Sequence, residues 1–341
     1  MAALLLWGTG ALGTPSPALL AAALFCVLVL VPTAALRSVR SGIQPGSLAT
    51  WRRFAPALLL YSTSSLFTLH FLSGIFVPTA DTVLHSTTRT PPSSTQKLRI
   101  LSLNVWHGYP GMHDHERRYQ HIRTTLDELD LDLIFVQEAW STPAFGHFVE
   151  RLGRDLDLWA AYARANGSLR FLGFEEGLGI LSRHRLEEVE KMNLAPRWPP
   201  WEMRVALEAV TVLPEGDRLQ LANTHLSGHS PSARVGQASA LAAALIESNT
   251  SLVAGDLNAG ARAPTLRTLE AVPMQPLISE RIDHILASPA LLEGWKIRST
   301  RALHLGQGAL EEKISDHPAL LVEIKRRSAA EEVLEVGSGG I

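Results

Sequence analysis

The chain has 341 residues, 46% of them apolar and 19% charged, with a formal net charge of −2 and a single cysteine, Cys26. Such a composition describes one large globular domain or two smaller ones with extra hydrophobicity, and it excludes an intrachain disulfide framework. The charge is unevenly placed: residues 1–80 hold no Asp, Glu or Lys, and taking their four arginines from 31 basic residues leaves 27 against 33 acidic ones, a formal −6 that disfavours sequence-independent binding of duplex DNA.

The run Ala18–Leu36 (ALLAAALFCVLVLVPTAAL) is uncharged and of the length a helix needs to cross a bilayer. A signal peptide would carry positive charge ahead of its apolar core, and no Lys or Arg precedes Arg37. Phe54–Ala80 is a second uncharged run, dotted with Tyr61, His70 and several serines. Two transmembrane helices, at about residues 18–36 and 54–80, are therefore expected within a membrane anchor spanning 1–80. Arg37, Arg40, Arg52 and Arg53 all lie between the two runs, which assigns that segment to the cytoplasmic side and everything after Ala80 to the non-cytoplasmic side. The expectation is thus a multi-pass membrane protein. Residues 81–96 (DTVLHSTTRTPPSSTQ) read as a linker, 97–327 as the folded domain, and 328–341, ending in Gly-Ser-Gly-Gly-Ile, as a mobile tail.

Within the folded domain, Leu98–Trp106 is a mostly apolar run that predicts a buried strand, with Asn104 near its end. Arg117–Leu129 has Ile122, Leu126 and Leu129 at helical spacing, and Asp132–Trp140 is a further strand closing on Gln137 and Glu138. A strand, a helix and another strand imply layers of sheet and helix. Gly177–Arg183 follows as a strand entered through glycines. Val205–Leu213 and Leu219–His225 alternate as a hairpin turned at Pro214–Asp217, and Ser232–Ile246 is Ala- and Leu-rich and helical. Ser251–Asn258, Arg281–Ala287 and Pro318–Lys325 supply the remaining strands.

Polar side chains interrupt or end these apolar runs: Asn104, Glu138, His225, Asp256, Asn258, Asp283, Asp316 and His317. One such residue is ordinary capping, and Ser-Asp-His alone is a common turn. A succession from six separate strands points to a shared cleft along one sheet edge. Carboxylates with amide oxygens and few sulfurs suit a hard divalent cation, Mg²⁺ or Mn²⁺, and the two histidines can stabilise phosphoryl charge or move protons.

In order, Leu-Asn-Val-Trp (103–106), Val-Gln-Glu (136–138), Gly-Ile-Leu-Ser-Arg (179–183), Asn-Thr-His-Leu (223–226), Gly-Asp-Leu-Asn (255–258), Arg-Ile-Asp-His (281–284) and Ser-Asp-His-Pro (315–318) resemble the motifs of the endonuclease/exonuclease/phosphatase family. The likeness covers about Leu98–Ile324, and the Leu-Asn-Val-Trp opening is similar to the neutral sphingomyelinase branch. The resemblance implies a DNase I-like four-layer α/β sandwich, here preceded by the two transmembrane helices, and metal-assisted hydrolysis of phosphate esters. It implies Glu138 as principal metal ligand with Asn104 beside it and Asp316 as a further carboxylate at the metal. It also implies that Asp256 aligns or deprotonates the attacking water, Asn258 hydrogen-bonds phosphate or water, His225 and His317 bind phosphoryl oxygens, and Asp283 orients His317. Either Asp256 or the His317–Asp283 dyad takes the proton.

The expected partners are therefore a phosphate-ester substrate, either a lipid head group or extracytoplasmic nucleic acid, and the membrane itself; no obligate protein partner is inferred. A phosphodiesterase with Mg²⁺ or Mn²⁺ is the leading expectation, an extracytoplasmic nuclease the second, and a membrane-tethered binding module without turnover the third. Other features have plainer readings. The histidines of WHGYPGMHDHERRYQH (His107, His113, His115, His121) lack the spacing of a zinc site, Arg183 is either a phosphate contact or a surface arginine, and Trp198 and Trp201 either wedge into substrate or pack a loop. Asn166 and Asn249 lie in glycosylation patterns.

Overall fold

The structure is a computed structural model, described over residues 82–87, 94–108, 114–168, 174–195, 203–245, 251–306 and 314–328. The expected spans at 18–36 and 54–80, the tail beyond Ser328, and His113, Trp198, Trp201 and Asn249 lie outside these residues. Among the described residues no helix is long and apolar enough to cross a membrane.

In chain order the elements are β1 (Thr82–His85), β2 (Lys97–Asn104), α1 (His115–Glu128), β3 (Leu133–Thr142), β4 (Gly146–His147), α2 (Phe148–Asp155), β5 (Trp159–Ser168), β6 (Phe174–Ser182), β7 (Leu186–Asn193), β8 (Val205–Val212), β9 (Arg218–His225), α3 (Pro231–Leu245), β10 (Ser251–Asp256), α4 (Pro264–Glu270), β11 (Gln275–Glu280), β12 (Asp283–Ala287), α5 (Pro289–Gly294), β13 (Trp295–Leu303) and β14 (Ala319–Arg326). They build an 8-stranded sheet ordered β1-β5-β6-β3-β2-β14-β13, with β4 on β3, and a 6-stranded sheet ordered β11-β12-β10-β9-β8-β7. The central strands β2, β3 and β10 are apolar on both faces because both faces are covered. Leu98, Ile100, Leu133 and Phe135 meet Leu207, Leu221, Leu252 and Ile285 between the sheets. The outer face of the first sheet packs on Tyr119, Ile122, Phe148 and Leu152 of α1 and α2, and that of the second on Leu241, Leu245, Leu266 and Leu269 of α3 and α4. Helix, sheet, sheet and helix thus stack as four layers.

The segment expected as linker differs from its reading. Thr82–His85 form β1, which pairs antiparallel with β5 at the edge of the first sheet. Thr82 and Val83 are β-branched, and an edge strand needs only one partner to use that preference. The expected hairpin is present as β8 and β9, closed where Leu213 N–H donates to Asp217 O at 2.9 Å.

Two local features aim residues at one end of the sandwich. Gly255 has φ +149° and so close an approach to Thr224 that a Cβ would fall 1.9 Å from its carbonyl oxygen, so only glycine lets β10 lie this tightly on β9. Asp256 is thereby set directly across from His225 on one side and from Asp283 on the other. In β3 the pairing with β6 slips between Val136 and Ala139, and Glu138 there takes φ 55°. Gln137 continues the alternation of Leu133 and Phe135 into the space between the sheets, and the bulge turns Glu138 toward the strand ends instead of the outer face.

Gln137 then joins the sheets. Its Nε2 donates to Asn223 Oδ1 at 2.7 Å, while Asn223 Nδ2 donates to the carbonyls of Val136 and Gly179 at 2.8 Å each. All of this is buried, so each bond lost strands a polar partner. Asn223→Leu is expected to lower unfolding free energy by about 2–4 kcal/mol. Urea denaturation measures this, and a change below about 0.5 kcal/mol would show that the amide joint is dispensable.

Candidate active site

The polar strand ends converge between the sheets. From the first sheet, Asn104 at the end of β2 donates through Nδ2 to Glu138 Oε1 at 3.0 Å and to Asp256 Oδ2 at 3.2 Å, reaching across to the second sheet. Its Oδ1 accepts from the Trp106 N–H at 2.9 Å. From the second sheet, His225 Nε2 lies 3.4 Å from Asp256 Oδ2, and its Nδ1 lies 3.9 Å from Glu138 Oε1. The loop before β14 supplies Asp316 and His317. His317 Nδ1 donates to Asp283 Oδ2 at 2.9 Å, and His317 Nε2 lies 3.6 Å from Asp256 Oδ2 and 3.9 Å from Asp316 Oδ1. Asn258, in the left-handed region at φ 49°, donates its N–H to Asp256 Oδ1 at 2.8 Å and its Nδ2 to Leu226 O at 3.0 Å. All eight residues named from the sequence therefore belong to one connected group.

Burial dominates the electrostatics. Asp256 and Asp283 are 1% and 3% exposed, and His225 is 7% exposed. Burial, reinforced by the charge of Asp283, pushes the Asp256 carboxyl up to about 6, although His317, the Asn258 N–H and the Asn104 amide pull the other way. Burial holds His225 well below the usual imidazole range, with the positive charge of Arg204 acting in the same direction. His317 is also disfavoured as a cation by burial, but its hydrogen bond to Asp283 and the charges of Asp283, Asp256 and Asp316 outweigh that and push it up to about 9.

Four carboxylates in one pocket repel unless a cation is supplied. Asp316 Oδ1 is buried without a hydrogen-bond partner, and both Asp316 and Glu138 act electrostatically on Arg118. Hard oxygen donors of this kind fit a divalent cation such as Mg²⁺ or Mn²⁺, held by Glu138 and Asp316. Asn104 turns its amide nitrogen to the acids and its oxygen to Trp106, so in this geometry it orients Glu138 and Asp256. A second grouping, Asp256, Asp283 and His317, has ligand atoms all within 4.8 Å of one another. There His317 and Asp283 already satisfy each other, whereas Asp316 Oδ1 has no hydrogen-bond partner.

Of the other residues singled out, Arg183 sits at the far end of β6, where Ser182 pairs with Leu133, and bridges Asp130 and Asp132. It is no phosphate contact. Asn166 uses its side chain to donate to Glu176 and to accept from the Met203 N–H, so it is not presented for glycosylation. The clustered histidines separate: His115 stacks on Trp140 at 4.7 Å, His121 is exposed, and His107 joins the site. His107 donates its N–H to Glu138 Oε2 at 3.1 Å and sets ring Nε2 3.4 Å from the same oxygen. Its proximity to Asn104 in sequence was the available signal for this placement.

The sequence model of the endonuclease/exonuclease/phosphatase family matches residues 101–317, more than half of the chain, and the chain belongs to that family of phosphate-ester hydrolases. Solved structures share its fold. The human Nocturnin catalytic domain with bound sulfate anion is 18% identical, with a TM-score of 0.57 over 71% of this chain and 100% of that one. An endonuclease/exonuclease/phosphatase from Beutenbergia cavernae is 16% identical, with a TM-score of 0.52 over 69% of this chain and 73% of that one. ANGEL2, a 2',3'-cyclic phosphatase in complex with adenosine-2',3'-vanadate, is 14% identical, with a TM-score of 0.55 over 68% of this chain and 96% of that one. No curated protein sequence matches.

The cation-free protein carries a pH signature. Because His317 binds its proton more tightly folded than the ordinary 6.5, its contribution to stability is complete below pH 6.5 and is lost as pH rises through about 9. Asp256 is also raised, from 3.8 to about 6, so its contribution fades over that lower window. Unfolding free energy measured by urea in EDTA is expected to fall between pH 6.5 and 9, and Asp283→Asn to flatten that fall. An unchanged slope in Asp283→Asn would contradict the assignment of the proton to this pair.

Proposed function

We propose that the chain is a divalent-cation-dependent phosphodiesterase, anchored to a membrane through residues 1–80 with its catalytic domain on the non-cytoplasmic side. The observation that carries the chemistry is the row Asp283–His317–Asp256, in which an imidazole held on Asp283 at 2.9 Å faces a buried carboxylate at 3.6 Å. A cation held by Glu138 and Asp316 would supply charge neutralisation for the phosphoryl oxygens.

His317 is an imidazolium at neutral pH because Asp283 and its neighbours raise it to about 9, so it is the wrong partner to accept a proton. Its Nε2–H instead donates to a phosphoryl oxygen as negative charge builds there. His225, neutral through burial, offers a second donor without adding charge. Asp256, fixed by the Asn258 N–H and the Asn104 amide, aligns the attacking water and takes its proton. The water oxygen bonds to phosphorus, the ester P–O bond breaks, and the leaving oxygen is protonated by solvent. A phosphomonoester and an alcohol result. Asn258 and Asn104 keep the carboxylate oriented, and positioning of this kind accounts for most of the catalysis in phosphoryl transfer.

For the substrate, the two uncharged N-terminal runs and the acidic catalytic domain support a phospholipid or sphingolipid head group at the anchoring surface. A nucleotidyl ester is the second reading, favoured by the adenosine-2',3'-vanadate in the structurally similar ANGEL2. Hydrolysis of bis-p-nitrophenyl phosphate, sphingomyelin, and single- and double-stranded DNA, each with Mg²⁺ or with EDTA, tests both. Mg²⁺-dependent turnover is expected, fastest on the lipid, and Glu138→Ala and His317→Ala are each expected to lower it by about 10²–10⁴-fold. Faster cleavage of DNA would favour the second reading. EDTA-resistant activity that survives both substitutions would overturn the proposal.

A further inference from the structure

Arg118 lies four residues before Ile122 and eight before Leu126, on the buried face of α1, and is 3% exposed. Its guanidinium lies between two indoles, 4.9 Å from the Trp106 ring and 4.8 Å from the Trp140 ring. Nη2 donates to the carbonyls of both Val105 and Trp106, and Nε donates to the carbonyl of Ile314 at 2.9 Å. The first two carbonyls follow Asn104 at the end of β2, and the third lies two residues before Asp316. One side chain on α1 therefore holds together the two loops that deliver Asn104 and Asp316.

The same loops meet once more where Ser315 Oγ donates to the Asn104 carbonyl and accepts from the His317 N–H. Trp106 is in the left-handed region at φ 53°, a backbone state that is strained for a bulky residue. Arg118 offsets that strain by binding the Trp106 carbonyl and ring together. Every one of these bonds goes to a neutral carbonyl, which leaves the guanidinium charge to act at longer range on Asp316 and Glu138. A lysine could supply the charge but not a planar fork that reaches both loops while stacked between two rings.

We propose that Arg118 is a positioning residue for the cation site: it fixes the spacing of the loop after β2, which binds Glu138 through Asn104 Nδ2 and the His107 N–H, and the loop before β14, which carries Asp316, before any ion or substrate arrives. The inference rests on the cation-dependent reading of the site. It is separable from that reading because it concerns affinity for the ion and not turnover.

The test is Mn²⁺ binding to the full-length chain, followed by electron paramagnetic resonance of the free ion, for the native chain, Arg118→Lys and Arg118→Ala, with thermal unfolding of each in EDTA. Arg118→Lys is expected to fold and to bind Mn²⁺ about 10-fold or more weakly, in the range typical of residues that orient metal ligands. Arg118→Ala is expected to regain part of its affinity when methylguanidinium is added, a rescue that general loss of packing would not show. If neither variant folds, Trp106→Leu, which removes one face of the stack and leaves the donors, carries the test and is expected to weaken Mn²⁺ binding about threefold. Folded Arg118→Lys, or in its place Trp106→Leu, with native affinity for Mn²⁺ would overturn the proposal. A native chain that binds no Mn²⁺ would instead overturn the cation-dependent reading beneath it.

Discussion

The site exists only because two separate sheets are held in one relative position, and the buried amide pair Gln137–Asn223, with the Asn104–Asp256 bond inside the site, links them there. Gln137 is on β3 of the first sheet and Asn223 on β9 of the second, joined at 2.7 Å. Each stands next to a strand end that matters: Gln137 precedes Glu138, and Asn223 is two residues before His225. An amide is well suited to this place. It donates and accepts at once, so it can bind the partner sheet's side chain and backbone together, whereas two apolar residues would pack without fixing register. The bulge at Glu138 completes the arrangement, since a regular strand would alternate Gln137 and Glu138 to opposite faces and could not use one for the joint and the other for the pocket so close to the same end.

Once the sheets are fixed, the dominant problem is charge. Glu138, Asp256, Asp283 and Asp316 are grouped with three histidines, His107, His225 and His317, of which His225 is held neutral by burial, and with Arg118, which spends its hydrogen bonds on carbonyls. His317 is bound directly to Asp283. Asp256 is raised chiefly by burial, with the charge of Asp283 adding to it. On the proposed reading a divalent cation would lie near Glu138 and Asp316 and give the buried Asp316 Oδ1 a partner. The same reading would divide the labour between Asp256 and the His317–Asp283 dyad, because a group that is already protonated can steady a phosphoryl oxygen but cannot take a proton from water.

Much of this was legible in the sequence, for a physical reason. Strands buried on both faces are written as continuous apolar runs, so a polar residue at the end of such a run stands out. Asn104, Glu138, Asp256 and Asp283 were visible in this way. Edge strands lack that contrast. β7 (LEEVEKMN) and β13 (WKIRSTRAL) are largely solvent-facing and read as charged loops, while the alanine-rich β5 resembles helix. β1 was hidden in a segment of Ser, Thr and Pro composition. Residues whose partners are distant in sequence were also opaque. Arg118 shares a helix face with Ile122 and Leu126, but only the tertiary structure shows Trp106 and Trp140 as its partners. Gln137 and Asn223 lay within recognisable motifs, but nothing local states that they bond to each other.

The central claim is that the pocket's uncompensated negative charge is matched to a divalent cation at Glu138 and Asp316. Thermal unfolding of the full-length chain across a Mg²⁺ titration tests it most directly, because an ion bound only by the folded state raises the midpoint in proportion to the logarithm of its concentration above Kd. The account predicts an onset near Kd and a logarithmic rise of several degrees above it in the native chain, both absent in Glu138→Gln. A midpoint indifferent to Mg²⁺, or an equal rise in Glu138→Gln, would contradict it.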